Sequence, residues 1–151
     1  MKDNNKYFQI SLKVIIKNKS GQMLLLKLPE NSSMAGYYDF PGGYIRTKDI
    51  NENFETVTKR EIKEELGNDF KYTLKMSPIS IGRHQTISKS DRKKKDVVWI
   101  FFEGLYKGGK IRISEEHTGY EWTYLKKSQL EKYFRKGALD GMNNYFKWNK
   151  F

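Results

Sequence analysis

The chain has 151 residues, about the length of one globular domain, and dividing it in two would leave neither half a proper core. Hydrophobic residues make up 37% and aromatic residues 15% of the chain, which excludes global disorder despite a mean hydropathy of -0.81. The absence of cysteine excludes a disulfide framework, a thiolate nucleophile and a cysteine-ligated metal site. Basic residues exceed acidic ones by 29 to 18, so the net charge is +11.

The N-terminal third predicts a β-hairpin followed by an abrupt bend. Residues 7–16 and 22–28 are apolar or alternating segments, and the turn residues 18–21 separate them. A loop over residues 29–36 then leads to Pro41, Gly42 and Gly43, where proline and paired glycines indicate a sharp change of backbone direction.

A helix is predicted next. It begins near Asn51 or Asn53, either of which can cap it, and ends at Gly67, which suits a left-handed C-terminal position. Its expected buried side consists of Phe54, Val57, Ile62 and Leu66.

The rest of the chain predicts more strands and two closing helices. Strands are expected over residues 71–76, 79–83, 97–106 and 121–125, and helices over residues 128–134 and 142–148. No apolar run is long enough to cross a bilayer, and the N-terminus lacks the apolar stretch of a signal peptide, so we expect a cytoplasmic protein with one domain over residues 1–151.

Three glutamates crowd one side of the predicted central helix. Glu61, Glu64 and Glu65 stand at positions i, i+3 and i+4, which share one helix face. Arg60 can reach Glu64, but one guanidinium cannot satisfy three carboxylates, whereas Mg²⁺ or Mn²⁺ takes oxygen ligands from several. Taken alone, residues 59–65 favour a solvated helix face of mixed charge over a metal site.

The surrounding residues resemble the Nudix box, G-x5-E-x7-R-E-U-x-E-E-x-G-U, in which U is apolar. Glu52, seven further residues and the segment 60–67 match it position by position. Eight residues separate Gly43 from Glu52 where the pattern has five, and Asn68 replaces the last apolar residue. We expect the insertion to lie in a surface loop over residues 44–51, where extra length costs little, and Phe70 to supply the missing apolar contact.

The resemblance implies an α+β Nudix fold, in which a mixed β-sheet is sandwiched between α-helices. It also implies a metal set made of the Gly42 main-chain carbonyl and the side chains of Glu61, Glu64, Glu65 and Glu116. Glu116 is included because it stands six positions before Trp122, as an acidic residue does in the family's closing segment. The adjacent Glu115 is the alternative ligand, and an ordinary loop acid is the alternative to both.

The same resemblance implies the catalytic roles. Glu64 is the expected general base, with Glu116 as its rival, while Arg60 pairs with a helix carboxylate and orients it. Glu61 completes the expected catalytic set. Glu52 is expected to tie the inserted loop to the helix, although an exposed acid at a helix N-terminus is also favoured by the helix dipole.

The expected substrate-binding residues are Gly43, Glu52, Tyr38 and His117. Tyr38 belongs to a set of rings that can stack on a base, together with Tyr37, Tyr120 and Trp122, although rings at strand spacing more often pack in the core. His84 and His117 are too few and too far apart to indicate a metal site, so His117 is expected to contact phosphate or its neighbours beside Glu116.

The charge pattern favours a polyanionic substrate. Residues 41–68 carry five basic and six acidic residues, whereas the remainder carries 24 basic and 12 acidic ones, so an acidic motif lies in a basic surround. The basic stretch with Lys89, Arg92, Lys93, Lys94 and Lys95 is expected in a loop, where it either binds phosphate or is simply solvated.

These observations lead to one principal hypothesis and two alternatives. The chain is expected to be a Mg²⁺- or Mn²⁺-dependent hydrolase of a nucleoside diphosphate linked to X, such as a nucleoside triphosphate or a dinucleoside polyphosphate, by attack of water on a phosphoanhydride. Removal of pyrophosphate from RNA 5′ ends is the alternative substrate class. A non-catalytic nucleotide- or RNA-binding module on the same fold is the alternative of another kind. Neither the substrate nor the oligomeric state follows from the sequence.

Overall fold

Residues 4–150 are described by a computed structural model of the chain. Its strands are β1 (Gln9–Lys17), β2 (Met23–Lys27), β3 (Tyr38–Asp39), β4 (Gly42–Tyr44), β5 (Lys71–Ile87), β6 (Lys94–Gly108) and β7 (Gly119–Thr123). Its α-helices are α1 (Phe54–Leu66), α2 (Leu130–Tyr133) and α3 (Lys136–Trp148). Short 3₁₀ turns precede α1 and α2, at Thr47–Asp49 and Lys127–Gln129.

The strands form one mixed sheet in the order β3-β2-β1-β6-β5, with β4 added to β1 and β7 added to β2. β1 and β6 are parallel, and the other pairs are antiparallel. The predicted N-terminal hairpin is confirmed at its turn, where Lys17 pairs with Met23. At residues 11–13, β1 pairs with β4 along one edge and with β6 along the other. Strand β2 therefore separates from β1 there, and the Pro41-Gly42-Gly43 bend lies between these two strands.

Helices cover both faces of the sheet, as the predicted α+β Nudix fold requires. On one face α1 packs over a core that includes Leu12, Val14, Leu24, Ile62 and Leu66. On the other face α2 and α3 pack over Ile15, Leu25, Trp99 and Phe101, and Met142 of α3 is part of this core. Odd-numbered residues of β1 thus project toward α3 and even-numbered ones toward α1, because side chains alternate along a strand.

The central helix has the ends that the sequence predicts. Asn53 is the cap: its Oδ1 accepts a hydrogen bond from the Thr56 N–H at 2.8 Å. Gly67 follows the last turn with φ of 89°, in the left-handed region that favours glycine. Val57, Ile62 and Leu66 are buried as expected, but Phe54 is 41% exposed. The prediction for Phe54 is wrong because the first turn lies beside a surface groove that Phe54 lines with Met76 and Pro78.

Two elements are longer than predicted. The strands expected over residues 71–76 and 79–83 are one strand, β5, with a register shift between Lys75 and Ser80. This irregularity contains Pro78, whose missing N–H cannot take part in a regular ladder. Helix α3 begins at Lys136, six residues before the predicted start, because Gly137 and Gly141, which disfavour a helix locally, let it pack directly on Gly82 of β5.

The loop that contains the basic stretch is shorter than expected. β5 ends at Ile87 and β6 begins at Lys94, so residues 88–93 form the turn and Lys94 and Lys95 belong to a strand. Phe70 is 6% exposed in the core under α1, where its ring stacks on Tyr106. Within residues 4–150, no helix combines the length and the apolar character needed to cross a membrane.

Candidate active site

The double glycine brings the backbone of β4 against α1. Gly42 has φ of 135°, and a Cβ there would collide with the carbonyl of Leu12 on the paired strand β1. A Cβ on Gly43 would instead collide with the carboxylate of Glu61 on α1. Glycine at both positions is therefore required for the bend to form and for a helix carboxylate to reach it.

The three helix glutamates have different environments. Glu61 and Glu65 are each 4% exposed, whereas the Glu64 side chain is 52% exposed. Glu61 accepts a hydrogen bond from Arg60 Nη2 at 2.9 Å, and Glu65 accepts one from the Gly42 N–H at 2.7 Å. Arg60 Nε lies 3.6 Å from Glu64 Oε1, so one guanidinium contacts two of the three carboxylates.

Burial has a strong effect on Glu65. It raises the pKa of this carboxyl to about 8, a shift that the nearby charges of Asp39 and Glu116 reinforce and that Lys13 and the Gly42 N–H oppose. A carboxylate in such surroundings is stabilised by any additional positive charge that enters the site.

Three side chains that can hold a metal ion meet at this point and are here named the acidic group. One ligand atom each from Glu65, Glu116 and His117 lies within 4.8 Å of the others. Main-chain hydrogen bonds hold the loop between β6 and β7, here called the closing loop, at this position. The Ser114 N–H donates to the Glu65 carbonyl at 3.1 Å, and the Thr118 N–H donates to the Lys27 carbonyl at 3.0 Å. The structure thus brings together Glu65 and Glu116, as the sequence predicted.

His117 lies beside Glu116, within the acidic group itself. It is 7% exposed, its Nδ1 has no hydrogen-bond partner within residues 4–150, and its ring belongs to the acidic group. Burial lowers its pKa, which favours the neutral imidazole that binds a metal. The number and spacing of the histidines did not indicate a metal role for His117, but its adjacency to Glu116 was an available signal.

A buried lysine behind the bend was missed by the sequence analysis. Lys13 Nζ donates to Asp39 Oδ2 at 2.8 Å and lies 3.4 Å from the carbonyls of Phe40 and Gly42. It also lies 4.9 Å from the centre of the Trp99 ring, a cation–π geometry. The available signal was a lysine in the middle of the apolar strand β1.

The structure gives to Asp49 the connecting role that the sequence assigned to Glu52. Arg60 Nη1 donates to Asp49 Oδ1 at 2.5 Å, and the Arg46 N–H donates to Asp49 Oδ2 at 2.9 Å. Asp49 is 3% exposed, whereas Glu52 is exposed. Five residues separate Gly43 from Asp49, as in the Nudix box, so the extra residues lie between Asp49 and Arg60.

Tyr38 lies apart from the acidic group. Its hydroxyl donates to Glu121 Oε2 at 2.8 Å, and its ring centre lies 5.7 Å from that of Tyr133. Burial and the Glu121 carboxylate raise the pKa of Tyr38 to about 12, which keeps the hydroxyl protonated. Because Tyr38 and Asp39 are consecutive on β3, their side chains leave opposite faces of that strand.

Comparison with known families agrees with this geometry. The model of the NUDIX domain family matches residues 8–142. The chain belongs to the Nudix family. As a Nudix protein it is a hydrolase that acts on phosphoanhydride bonds. No curated protein sequence matches it.

Solved structures share this Nudix fold. The MutT protein of Methanosarcina mazei Go1 is similar with a TM-score of 0.72 and 26% identity, over 97% of this chain and 98% of that one. The E. coli ORF135 protein has a TM-score of 0.67 at 19% identity, over 95% and 91% of the two chains. An ADP-ribose pyrophosphatase from Streptococcus suis 89-1591 has a TM-score of 0.60 at 14% identity, over 94% and 89%. The last two, at their low identities, show the fold alone.

Proposed function

We propose that this Nudix protein is a Mg²⁺- or Mn²⁺-dependent hydrolase of a nucleoside diphosphate linked to X. The observation that carries the proposal is the meeting of the buried helix carboxylate of Glu65 with Glu116, next to the Gly42–Gly43 bend against which Glu61 also lies. Oxygen-rich donor sets of this kind suit Mg²⁺ and Mn²⁺. The residues that would hold the ion are the Gly42 carbonyl and the side chains of Glu61, Glu64, Glu65 and Glu116, and the structure adds His117 as a neighbouring donor.

The fit of the site to a cation rests on charge as well as geometry. Glu65 is buried and Glu116 lies close to it, yet Lys13, the basic side chain whose charge acts on Glu65, is already paired with Asp39. Arg60 is divided among Asp49, Glu61 and Glu64. The carboxylates of this group therefore exceed the basic side chains that contact them, which favours a divalent cation.

A divalent ion bound here would lower the pKa of an attacking water and neutralise charge on the phosphates. The chain's own residues prepare the site for that reaction. Arg60 fixes the rotamer of Glu61 and, at longer range, that of Glu64. Glu64 is exposed enough to take a proton from water, so it remains our proposed general base, with Glu116 as its rival.

The substrate class of the proposal is a nucleoside triphosphate or a dinucleoside polyphosphate. The net charge of +11 favours attraction of such polyanions to the acidic site. We propose Gly43, Glu52, Tyr38 and His117 as the residues that contact substrate. His117 belongs to the acidic group and Gly43 lies against Glu61, which supports their assignment. Tyr38 contacts Glu121 instead, and Glu52 is exposed.

Exchange of Glu64 for Gln tests the catalytic part of the proposal. We expect kcat to fall by about 10²-fold or more on a panel of nucleoside triphosphates, dinucleoside polyphosphates and ADP-ribose, with nucleotide binding retained. Glu55→Gln is the matched control, because Glu55 stands on the same helix and pairs at the surface with Lys59 at 2.5 Å. Unchanged turnover in Glu64→Gln, together with a large loss in Glu116→Gln, would transfer the role of base to Glu116.

Chelation tests the metal part separately. Activity against every substrate of the panel should disappear with EDTA and return when excess Mg²⁺ or Mn²⁺ is added. Full activity in the presence of chelator, with all bound metal removed beforehand, would contradict the proposed metal dependence.

A further inference from the structure

The tip of the β5–β6 hairpin carries a cluster of cations, Lys89, Arg92, Lys93, Lys94 and Lys95, here named the basic tip. We propose that the basic tip binds the nucleic-acid body of a substrate whose 5′-triphosphate is hydrolysed at the acidic site. This inference rests on the proposed function and extends its substrates to nucleic acids that carry a 5′-triphosphate.

The charges of the basic tip are available to a ligand. Lys89, Arg92, Lys93 and Lys94 are exposed, and Lys95 is half-buried. None of the ion pairs found among residues 4–150 includes a residue of the basic tip. The tip contains one acid, Asp91, whose Oδ1 accepts a hydrogen bond from the Lys93 main-chain N–H at 3.1 Å. A net positive surface with little internal neutralisation is the electrostatic footprint of a polyanion site.

The basic tip lies on the face of the sheet opposite α1, the face on which Lys13 lies behind the glycine bend. Lys95 precedes Val97 and Trp99 by two and four residues on β6, so its side chain projects on their side of the strand, which is the side of α3. Lys13, which adjoins the Gly42 carbonyl, projects over Trp99 on that same side.

A cavity beside the tip extends this surface. It has a volume of about 330 Å³ and is lined by Ser33, Gln85, Thr86, Ile87, Lys94 and Lys136. Lys136, at the start of α3, adds a further cation to the edge of the basic tip. The lining exposes more apolar than polar surface, but Lys94 and Lys136 within it can contact phosphate groups.

The separation of the two surfaces sets the length of the ligand. Phe101 of β6 pairs with Lys13, which in turn pairs with Gly42 across β4. Lys95 stands six residues before Phe101, so at about 3.4 Å per residue the basic tip begins roughly 20 Å from the row that carries Gly42. Phosphates of a stacked strand are about 3.4 Å apart, so about six of them cover this distance, more than a triphosphate supplies.

A nucleic acid is favoured over an acidic protein as the occupant. Both are attracted by the basic tip, but the Nudix site acts on phosphoanhydrides. A 5′-triphosphorylated oligonucleotide combines a terminal phosphoanhydride with a regular row of phosphates along one strand. An acidic protein has no bond for this site to cleave.

A length series of substrates tests the proposal. The probes are a nucleoside triphosphate and 5′-triphosphorylated oligonucleotides of about two, four, six and ten nucleotides, assayed for KM and, by fluorescence anisotropy, for binding. In the unaltered protein both KM and Kd should fall until about six nucleotides and then level off.

Two triple variants with the same loss of charge separate the basic tip from net charge. In K93Q/K94Q/K95Q the dependence on length should vanish, with Kd for the ten-nucleotide probe raised about tenfold or more and KM for the nucleoside triphosphate within about twofold. The slope of log Kd against log salt should also decrease by about 2, since each lost phosphate contact contributes about 0.7. The control K71Q/K107Q/K110Q alters exposed lysines at the opposite end of the same hairpin, and it should retain the dependence on length.

Several results would overturn the inference. One is a KM and a Kd that do not change with oligonucleotide length in the unaltered protein, which is the result expected if the tip binds an acidic protein. Another is an equal loss of affinity in the two triple variants. Hydrolysis of the nucleoside triphosphate would leave the proposed function standing in either case. If no phosphoanhydride is hydrolysed, the proposed function fails, while the anisotropy series still decides whether the basic tip binds nucleic acid.

Discussion

Lys13 Nζ lies 2.8 Å from Asp39 Oδ2 in a buried ion pair behind the glycine bend. Burial alone would lower the pKa of Lys13, but the charges of Asp39 and Glu65 outweigh it and raise the pKa above its ordinary value. The Lys13 ammonium therefore stays charged and interacts favourably with both of these carboxylates. One of these, Glu65, belongs to the acidic group, so the ion pair joins the core of the sheet to the active site.

Loss of one member of this pair should be costly. We expect Lys13→Met to lower the free energy of unfolding by about 3 to 5 kcal/mol, because Asp39 would remain buried without its partner. The double variant Lys13→Met/Asp39→Asn removes both charges and should recover a large part of that loss. Urea denaturation at neutral pH measures both. Equal stability of the single and double variants would show that the pair is not coupled.

The two glycines of the bend should respond differently to alanine. In Gly42→Ala the new Cβ meets the Leu12 carbonyl at a φ of 135°, so main chain must move and stability should fall by about 2 kcal/mol or more. In Gly43→Ala the new Cβ meets the Glu61 carboxylate, a side-chain end that can rotate away. Stability should change little, while kcat should fall by about 10²-fold because Glu61 is displaced.

Thermal unfolding and steady-state kinetics on the two alanine variants provide the comparison. The interpretation of Gly43 would be contradicted by full activity in Gly43→Ala, since its Cβ cannot coexist with Glu61 in its present position. A loss of stability in Gly43→Ala as large as that in Gly42→Ala would contradict the contrast between side chain and main chain.

Local signals explain what the sequence predicted. Asn53 and Gly67 mark the ends of α1 because capping and a left-handed residue are properties of a few adjacent residues. The spacing of Glu61, Glu64 and Glu65 likewise placed them on one helix face. The resemblance to the Nudix box supplied the fold and the distant partner Glu116, which helix periodicity alone could not reach.

The features that the sequence did not predict are contacts between elements that are distant along the chain. The Lys13–Asp39 pair joins β1 to β3, and the Asp49–Arg60 pair joins a 3₁₀ turn to α1. Glu52 and Asp49 both precede the helix, and each keeps one of the two spacings of the Nudix box, so the path of the inserted loop decides which one meets Arg60. The early start of α3 depends on the close approach of Gly137 to Gly82, which local helix propensity opposes.

The Asp49–Arg60 pair should make stability depend on acid pH. Hydrogen bonds from Arg60 and the Arg46 N–H lower the pKa of Asp49 to about 2, from an ordinary value of 3.8. Between these values the unfolded chain binds a proton that the folded chain does not, so this contribution to stability is present above about pH 4 and is lost as pH falls toward 2. Asp49→Asn should therefore be less stable at pH 7 and show a flatter fall in stability below pH 4. Urea midpoints from pH 7 to 3 measure this, and parallel curves for the two proteins would contradict it.

Glu115 and Glu116 are neighbouring acids in the closing loop whose contributions to metal binding can be compared. Glu116 belongs to the acidic group with Glu65 and His117, whereas Glu115 does not. We expect Glu116→Gln to weaken Mn²⁺ binding by about tenfold or more, since an amide oxygen replaces a charged ligand. Glu115→Gln removes the same charge one residue away and should change the affinity by less than about threefold. Titration calorimetry with Mn²⁺ in the absence of nucleotide measures both variants. A larger loss in Glu115→Gln would make Glu115 the ligand, which requires the loop after Ser114 to adopt a different conformation once the cation binds.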